Sequence, residues 1–354
     1  MDLYVMDGFD VIDIVSSYES VIWNMQFFGD SEFELAVPAS NENVNKLLVK
    51  RYLVRGEDMH DGEFHNVMMI ENRTFDYDIE KGWMLQLSGR GVKCIVGQRI
   101  VWKQTNLTGS VEDGIRQVIT ENIINPEDVN RHIDNFVLDT AKGYAETFDI
   151  QLFGENISEW LQELTPQYGI GWDVFIKNRK YVFTLKKGTD RTYDQTAVNP
   201  VVFSPEFDNL ISSTYTQERQ EFKNAALVGG EGEGINQRSA SIGTATGLDR
   251  YETFIDGSSV SSNGEIITLE TYMKMLQEYG LTQLTGSAMT EKFEGQVMPN
   301  GLFDLNTDYF LGDLVQIEND NGISAVSRIT EIIYSEDENG WSFNPTFGAW
   351  EGVD

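Results

Sequence analysis

The chain has 354 residues, of which 40% are apolar, and this is enough for two or three domains with hydrophobic cores. Its 57 acidic and 26 basic residues give a formal net charge of −31, and the lysines and arginines form no cluster. Stable binding to nucleic acid or to an anionic membrane needs such a cluster, so the composition argues against both. An acidic wall would instead suit a channel through which DNA slides without sticking.

The single cysteine, Cys94, excludes an intrachain disulfide and a cysteine metal cluster. The first ten residues are acidic and lack the basic and apolar regions of a signal peptide. No stretch of the sequence reaches the roughly 18–20 apolar residues of a membrane-spanning helix. We therefore expect synthesis in a cytoplasm and no membrane anchor.

Residues 1–100 are predicted to form a first β-barrel domain. Short apolar runs are separated by glycine turns, and Phe33, Leu35 and Val37 alternate so that they share one face of a strand. Ser40 is placed to cap a short helix within this region. Regularly spaced short strands of this kind are typical of a small barrel or sandwich.

Residues 101–195 are predicted to form an inserted α/β domain. Ser110 begins a capping-box pattern ahead of one amphipathic helix, and Asn156 stands ahead of a second. Residues 171–176 and 181–185 alternate as strands on either side of a short polar turn, which indicates a hairpin.

Residues 196–265 are predicted to be long strands that link the two β regions. The run 210–228 is extended in character and too polar to be buried on both faces, so we expect it to join two sheets or two subunits. Residues 230–247 are rich in glycine, serine and threonine, which favours a loop that is mobile or lies at an edge. A second strand is predicted over residues 250–257.

A helix with an amphipathic face is predicted within residues 266–290, ending at Gly280. Residues 291–354 return to short strands and are predicted to form a second β-barrel. Asn321-Gly322 and Asn339-Gly340 predict type I′ hairpin turns between them. The fold class is therefore mainly β with an α/β insertion, containing two small antiparallel β-barrels or sandwiches in each subunit.

The sequence predicts no metal site and no cofactor. His60 and His65 lie in an acidic segment, but no third ligand stands at a familiar spacing, so solvated loop histidines are the better interpretation. Residues 318–322 partly mimic a calcium loop. Glu318 replaces the leading aspartate and Ile329 stands where the closing glutamate belongs, so a hairpin turn explains the stretch better.

The sequence also predicts no catalytic residue. Glu231 and Glu233 could be paired carboxylates, but the glycines around them provide no rigid, desolvating support, which favours an exposed acidic loop. Nucleophile elbows, P-loops and dinucleotide fingerprints are missing from the sequence. Trp160, Trp172 and Trp350 could stack on a sugar, but most tryptophans are expected in the core. We therefore predict that the chain is not an enzyme.

An ordered set of short motifs nevertheless runs across nearly the whole chain. The motifs are Ser31-Glu32-Phe33-Glu34-Leu35, Ser88-Gly89-Arg90-Gly91, Asp190-Arg191-Thr192, Val202-Phe203-Ser204, Asn209-Leu210, Asn224, Val228-Gly229, Arg250-Tyr251-Glu252, Leu311-Gly312-Asp313-Leu314-Val315, Arg328-Ile329-Thr330-Glu331-Ile332 and Pro345-Thr346-Phe347-Gly348. Each motif is weak alone, but their order resembles the tail-hub, or baseplate-hub, family of long-tailed bacteriophages.

The resemblance implies a structural component of the virion at the tail tip. Members of that family form a trimeric ring in which two β-barrels per subunit match a sixfold tail above and a threefold tip below. The partners implied are two further copies of the chain, the distal tail ring protein, the tape-measure protein, and tip or fibre proteins. DNA would pass through the ring without being specifically bound. Two alternatives stay open at this point, a tail-associated cell-wall hydrolase and a receptor- or carbohydrate-binding tail protein.

Five residues are predicted to lie at the subunit interface. Cations are scarce in this chain, so we expect Arg191 and Arg250 to form fixed ion pairs near subunit contacts. Asn209, Tyr215 and Glu252 complete the predicted set.

Overall fold

The computed structural model describes residues 1–262, 266–285, 287, 290–297, 302–318 and 324–350. The described chain is mainly β and carries an α/β insertion, which confirms the predicted fold class. Within the described part, no helix combines the length and apolar character needed to cross a membrane.

The first β region contains nine strands and one short helix. They are β1 (Leu3–Asp7), β2 (Asp10–Val15), β3 (Ser20–Gln26), β4 (Glu32–Pro38), α1 (Asn41–Lys46), β5 (Tyr52–Arg55), β6 (Met59–His60), β7 (Glu63–Phe64), β8 (Met68–Asp78) and β9 (Gly82–Gly91). Ser40 caps α1 as predicted, because its hydroxyl accepts a hydrogen bond from the backbone N–H of Asn43 at 3.1 Å.

The inserted region alternates strands and helices. Its elements are β10 (Thr105–Ser110), α2 (Val111–Ile119), β11 (Phe136–Leu138), β12 (Thr147–Leu152), α3 (Ile157–Leu164), β13 (Gly171–Lys177) and β14 (Lys180–Lys186). The predicted caps are confirmed, since Ser110 caps α2 and Asn156 caps α3 through their side-chain oxygens. Trp160 and Trp172 are buried, as expected of core tryptophans, whereas the side chain of Trp350 lies outside the described part.

The described part of the remaining chain contains ten strands and one α-helix. They are β15 (Asp190–Arg191), β16 (Val202–Phe203), β17 (Leu210–Glu218), β18 (Ala225–Gly229), β19 (Ser239–Ile242), β20 (Glu252–Asp256), α4 (Leu269–Thr285), β21 (Thr290–Val297), β22 (Leu314–Glu318), β23 (Ser324–Asp337) and β24 (Gly340–Trp350). The described residues between 225 and 285 form a small unit with a separate core cluster, in which α4 packs on the sheet β19-β18-β20.

Fourteen of the described strands form one sheet. Its main path is β17-β21-β24-β23-β3-β4-β9-β8-β5-β1-β2, and β22 pairs with β23 while β15 and β16 pair with β22. Seven of these strands come from residues 1–100 and seven from residues 190–350. The two halves meet where β3 and β23 pair antiparallel, from Gln26 opposite Glu331 to Val21 opposite Glu336.

The sheets formed by the described strands do not close into barrels. The two β regions, predicted as separate barrels, instead continue into one another and share a hydrophobic core. The Phe203 ring lies 5.3 Å from the rings of Tyr309 and Phe347, and in the same core cluster Trp23 lies 5.7 Å from Phe33. The halves are therefore joined both by backbone pairing and by side-chain packing.

The long strand predicted over residues 210–228 is two strands. β17 belongs to the large sheet and β18 to the small one, and residues 219–224 connect them. The segment passes from the large sheet to the small one, and the prediction of one continuous strand is wrong. Polar residues at the connection, among them Arg219 stacked on Phe222 and Tyr251, allow the chain to turn there.

Two further predictions need correction. Residues 230–247, predicted as a loop, contain β19, which is the edge strand of the small sheet and pairs with β18. The helix predicted to end at Gly280 continues to Thr285. Gly280 is a packing position, because a Cβ there would lie 2.3 Å from Val228 Cγ2.

The turn at Asn339-Gly340 connects β23 and β24, but it is not of type I′. Asp337 pairs with Gly340, so Glu338 and Asn339 are the central residues, and neither has the positive φ that type I′ requires. Gly340 has φ +123° and follows the turn. The hairpin predicted at Asn321-Gly322 lies outside the described residues.

Candidate subunit interface

The five residues predicted for the interface do not form one cluster. Arg191 lies on β15 in the second half of the large sheet, Asn209 immediately precedes β17, and Tyr215 lies on β17, an edge strand of that sheet. Arg250 and Glu252 lie at the small sheet, next to and on β20. Their role at a subunit contact stays a prediction, and their contacts within one chain are as follows.

Arg191 forms an ion pair with Asp313. Its Nε lies 2.6 Å from Asp313 Oδ2, and the Asp313 side chain is only 3% exposed. The same carboxylate accepts hydrogen bonds from the backbone N–H groups of Thr189 at 2.7 Å and Phe310 at 3.0 Å. Asp313 therefore fixes β15 against β22. Arg191 supplies the positive charge that balances the buried Asp313 carboxylate.

Asn209 is 1% exposed and holds the turn that precedes β17. Its Nδ2 donates to the carbonyl of Val202 at 2.7 Å, and its Oδ1 accepts from the N–H of Ser204 at 2.9 Å. Its polar groups are therefore committed inside the chain. Tyr215, which is half-buried, packs against the core that the two halves share.

Arg250 and Glu252 form an ion pair on the surface of the small unit. Arg250 Nε lies 2.6 Å from Glu252 Oε1, and the Glu252 side chain is 66% exposed. Arg250 Nη1 also donates to the carbonyl of Ala245 at 3.1 Å, so it holds the segment after β19. Asn224 joins this group, since its Oδ1 accepts from the N–H of Tyr251 at 2.9 Å.

Glu231, predicted to belong to an exposed acidic loop, is instead a structural anchor. Its carboxylate accepts from the N–H of Ser262 at 2.6 Å and from the hydroxyl of Ser261 at 2.9 Å, and Arg238 lies at 3.4 Å. Burial raises the pKa of Glu231, but the hydrogen bonds and Arg238 together lower it by more than burial raises it, so the pKa lies below its ordinary value. Its backbone N–H donates to the hydroxyl of Tyr272 on α4.

A buried charge network that the sequence did not reveal attaches the insertion to the first β region. Lys93 donates to the carbonyl of Gln26 at 2.7 Å and lies over the ring of Trp172, while Lys186 lies 3.0 Å from Asp173. Burial lowers the pKa of Lys93 to about 8. Burial raises the pKa of Asp173, but Lys186 and Lys93 lower it below its ordinary value.

His65 is packed rather than free in solvent. Its ring stacks on Phe175 at 4.7 Å, and its Nε2 lies 3.2 Å from Glu63. Searching the described residues finds no group of three histidine, cysteine, aspartate or glutamate side chains that could hold a metal ion. The residues resembling a calcium loop lie largely outside the described part.

One face of the large sheet carries carboxylates on the side opposite the core. In the cross-strand register, Glu34 pairs with Ile22, and Glu32 pairs with Asn24 and Arg90. Glu331, on β23, continues this surface across the junction and accepts a hydrogen bond from Asn24 at 2.8 Å. The core side of the same strands is apolar, and the opposite side is polar. We call this polar side the acidic face because it carries Glu32, Glu34 and Glu331, although Ile22 and Arg90 also lie on it.

A family model described as "Siphovirus ReqiPepy6 Gp37-like protein" matches residues 2–349. The chain belongs to this family. Its members are bacteriophage tail proteins, so the chain is a structural protein of the phage tail and a component of the virion. This confirms the family predicted from the ordered motifs.

Solved structures similar to this chain cover almost its whole length. The tail protein from Neisseria meningitidis MC58 has 14% identity and a TM-score of 0.58, covering 98% of this chain and 96% of that one. The 43 kDa tail protein of prophage MuSo2 from Shewanella oneidensis has 12% identity and a TM-score of 0.59, covering 98% of each chain. The prophage tail protein gp18 from Listeria monocytogenes EGD-e has 12% identity and a TM-score of 0.52, covering 98% and 94%.

At these identities the likeness shows that the chain shares their fold. No curated protein sequence matches it significantly.

Proposed function

We propose that the chain is the hub of the tail tip, and that three copies form a ring that adapts a sixfold tail to a threefold tip. The observation that carries the proposal is the division of the large sheet into two sets of seven strands joined at β3 and β23. Three chains that each contribute two β units of seven strands provide six positions around an axis. A closed ring of identical chains needs only one repeated contact between neighbours.

The acidic face of the sheet suits the wall of the ring's channel. Glu32, Glu34 and Glu331 lie on one surface that spans both halves, and the net charge of the chain is −31. A polyanion such as DNA is repelled by such a wall, so it can pass without being held. In this proposal the tape-measure protein occupies the channel before DNA, the distal tail ring lies above, and tip or fibre proteins lie below.

The contact between neighbouring subunits is proposed to include Arg250, Glu252 and Tyr215. Glu252 is exposed, and its partner Arg250 is held in place by the carbonyl of Ala245, so the Glu252 carboxylate is presented to a neighbour at a fixed position. Arg191 and Asn209 belong to the same proposal, but their polar groups already bind inside the chain, so they would shape the contact surface and not bind across it.

Native mass spectrometry of the purified protein at micromolar concentration tests the contact. We expect trimers from the wild type and their loss in Glu252→Lys, with circular dichroism unchanged because the side chain is exposed. Asp134→Lys is the matched control, since Asp134 is also an exposed carboxylate but lies in the insertion. Trimers that persist in Glu252→Lys would refute the proposed contact, and dimers or hexamers of the wild type would refute the ring.

A further inference from the structure

The inserted domain contains a polar cleft that the hub proposal does not use. It has a volume of about 370 Å³ and opens between the segment after β9 and the turns that follow α2. Trp102, Asn122, Glu127, Asp128 and Arg131 are among its lining residues. Ligand sites of small molecules have volumes of about 300–1,000 Å³, so this cleft has room for a ligand of one or two rings.

Trp102 is exposed, whereas the other tryptophans of the inserted domain are buried. It is 57% exposed. Exposure of the indole forgoes the hydrophobic stabilisation that burial gives to Trp160 and Trp172. The guanidinium of Arg131 lies over the indole at 4.7 Å and donates to the carbonyl of Ile100 at 2.7 Å. Arg131 thus supports one side of the indole ring, and Trp102 remains partly exposed among the residues that line the cleft.

The position of Trp102 is fixed by a buried amide. Asn122 is 4% exposed, and its Oδ1 accepts from the backbone N–H of Trp102 at 3.1 Å and from Arg131 Nη2 at 3.3 Å. Its Nδ2 donates to the carbonyl of Val118 in α2 at 3.0 Å. The aromatic platform is therefore preorganised, which reduces the entropy lost when a ligand stacks on it.

The charges around the platform select the class of ligand. Lys103 and Arg131 are outnumbered by Glu121, Glu127 and Asp128, so a phosphate or carboxylate ligand is disfavoured. Lys103 is already paired with Glu127. The exposed carboxylates are hydrogen-bond acceptors, and hydroxyl groups are the neutral donors that match them.

From this arrangement we infer that the cleft binds a neutral saccharide. The apolar C–H face of one sugar ring stacks on Trp102, and its hydroxyl groups donate to Glu127 and Asp128 at the rim. This inference does not depend on the proposed trimer, because the cleft is formed within one inserted domain. A hub that carried such a site would contact the glycans of a cell surface through each of its subunits.

Saturation-transfer difference NMR and isothermal titration calorimetry on the full-length protein test this inference. The probes are the N-acetylglucosamine trisaccharide, maltotriose and lactose, with inorganic phosphate and tetramethylammonium as charged comparisons. We expect at least one saccharide to bind, and Trp102→Ala to weaken that binding about tenfold, equivalent to about 1.4 kcal/mol. Trp102→Phe keeps an aromatic ring and should retain part of the affinity.

Trp83→Ala is the matched control, because Trp83 is exposed to a similar extent, 58%, and lies outside the cleft on β9. Its binding should equal that of the wild type. The inference is overturned if none of the three saccharides binds, if Trp102→Ala binds like the wild type, or if phosphate or tetramethylammonium binds more tightly than every saccharide. An unchanged melting temperature of Trp102→Ala shows that the variant is folded.

Discussion

Replacing Gly280 with alanine should destabilise α4, although helix propensity alone predicts that this substitution stabilises the helix. Alanine is favoured over glycine inside a helix by about 0.5–1 kcal/mol. In this structure the new Cβ would lie 2.3 Å from Val228 Cγ2 and 3.1 Å from Ile242 Cδ1. Unbonded carbon atoms prefer a separation of about 3.5–4.0 Å, so helix and sheet must separate.

The cost of that clash exceeds the gain in propensity. Val228 is fully buried in β18, which is held between β19 and β20, so it cannot move without disturbing the small sheet. Overpacking of a core costs about 1–3 kcal/mol. Subtracting the gain in propensity leaves a net destabilisation of about 1–2 kcal/mol for Gly280→Ala.

Hydrogen–deuterium exchange of the α4 amides measures this locally, which avoids assuming that the whole chain unfolds in one step. We expect exchange about tenfold faster in Gly280→Ala, and a change of less than about 0.5 kcal/mol in the exposed control Gln277→Ala. Val228→Ala removes the clashing methyl group, so the double variant should be more stable than the sum of the two single variants by about 1 kcal/mol. Slower exchange in Gly280→Ala, or strictly additive effects, would refute the packing argument.

Three further outcomes follow from buried charges. Glu112→Gln should cost about 2 kcal/mol, because the Glu112 carboxylate accepts three backbone N–H groups of residues 142–144, and thermal unfolding at pH 7 measures this. Burial raises the pKa of Glu112 and these bonds lower it below its ordinary value, so the difference from wild type should shrink as pH falls below about 4. Burial lowers the pKa of Lys93 to about 8, so above pH 8 the unfolded state binds more protons than the folded state. The free energy of unfolding, measured by urea titration, should therefore rise between pH 8 and 9.5. This rise should be absent in Lys93→Met. Asp313→Asn should lower the free energy of unfolding by about 3 kcal/mol, because it leaves the charge of Arg191 without its partner. A melting temperature equal to that of the wild type would contradict this.

Local elements were predictable from the sequence because their signals lie within a few residues. Ser110 and Asn156 cap helices through hydrogen bonds to residues two or three positions away. The hairpin of β13 and β14 follows from alternation on either side of Asn178 and Arg179, both of which have positive φ. Such features depend on steric and hydrogen-bonding rules that act within one turn or strand.

Features that depend on distant partners were not predictable in this way. Gly280 looked like a helix end because its role is set by Val228 on a separate strand. The joining of the two halves at β3 and β23 pairs residues about 300 positions apart, and no local pattern encodes that register. Asp313 was present in a recognised motif, but only the fold shows that it is the partner of Arg191.

The acidic surface was visible only as a net charge. Composition gave −31, but it could not show that Glu32, Glu34 and Glu331 lie together on one face of the sheet. The alternation of apolar and polar residues predicts that some face is polar. Which carboxylates share it depends on the strand order, which is a property of the whole fold.

The copy number of this chain at the tail tip tests the central claim most directly. Electron cryomicroscopy of intact tails that contain it should resolve the ring at the distal end and assign its subunits. Two joined β units per chain predict three copies arranged so that six β units surround the channel, with the acidic face toward the lumen. Six copies in one ring, or three copies whose apolar or uncharged surfaces line the lumen, would contradict the account.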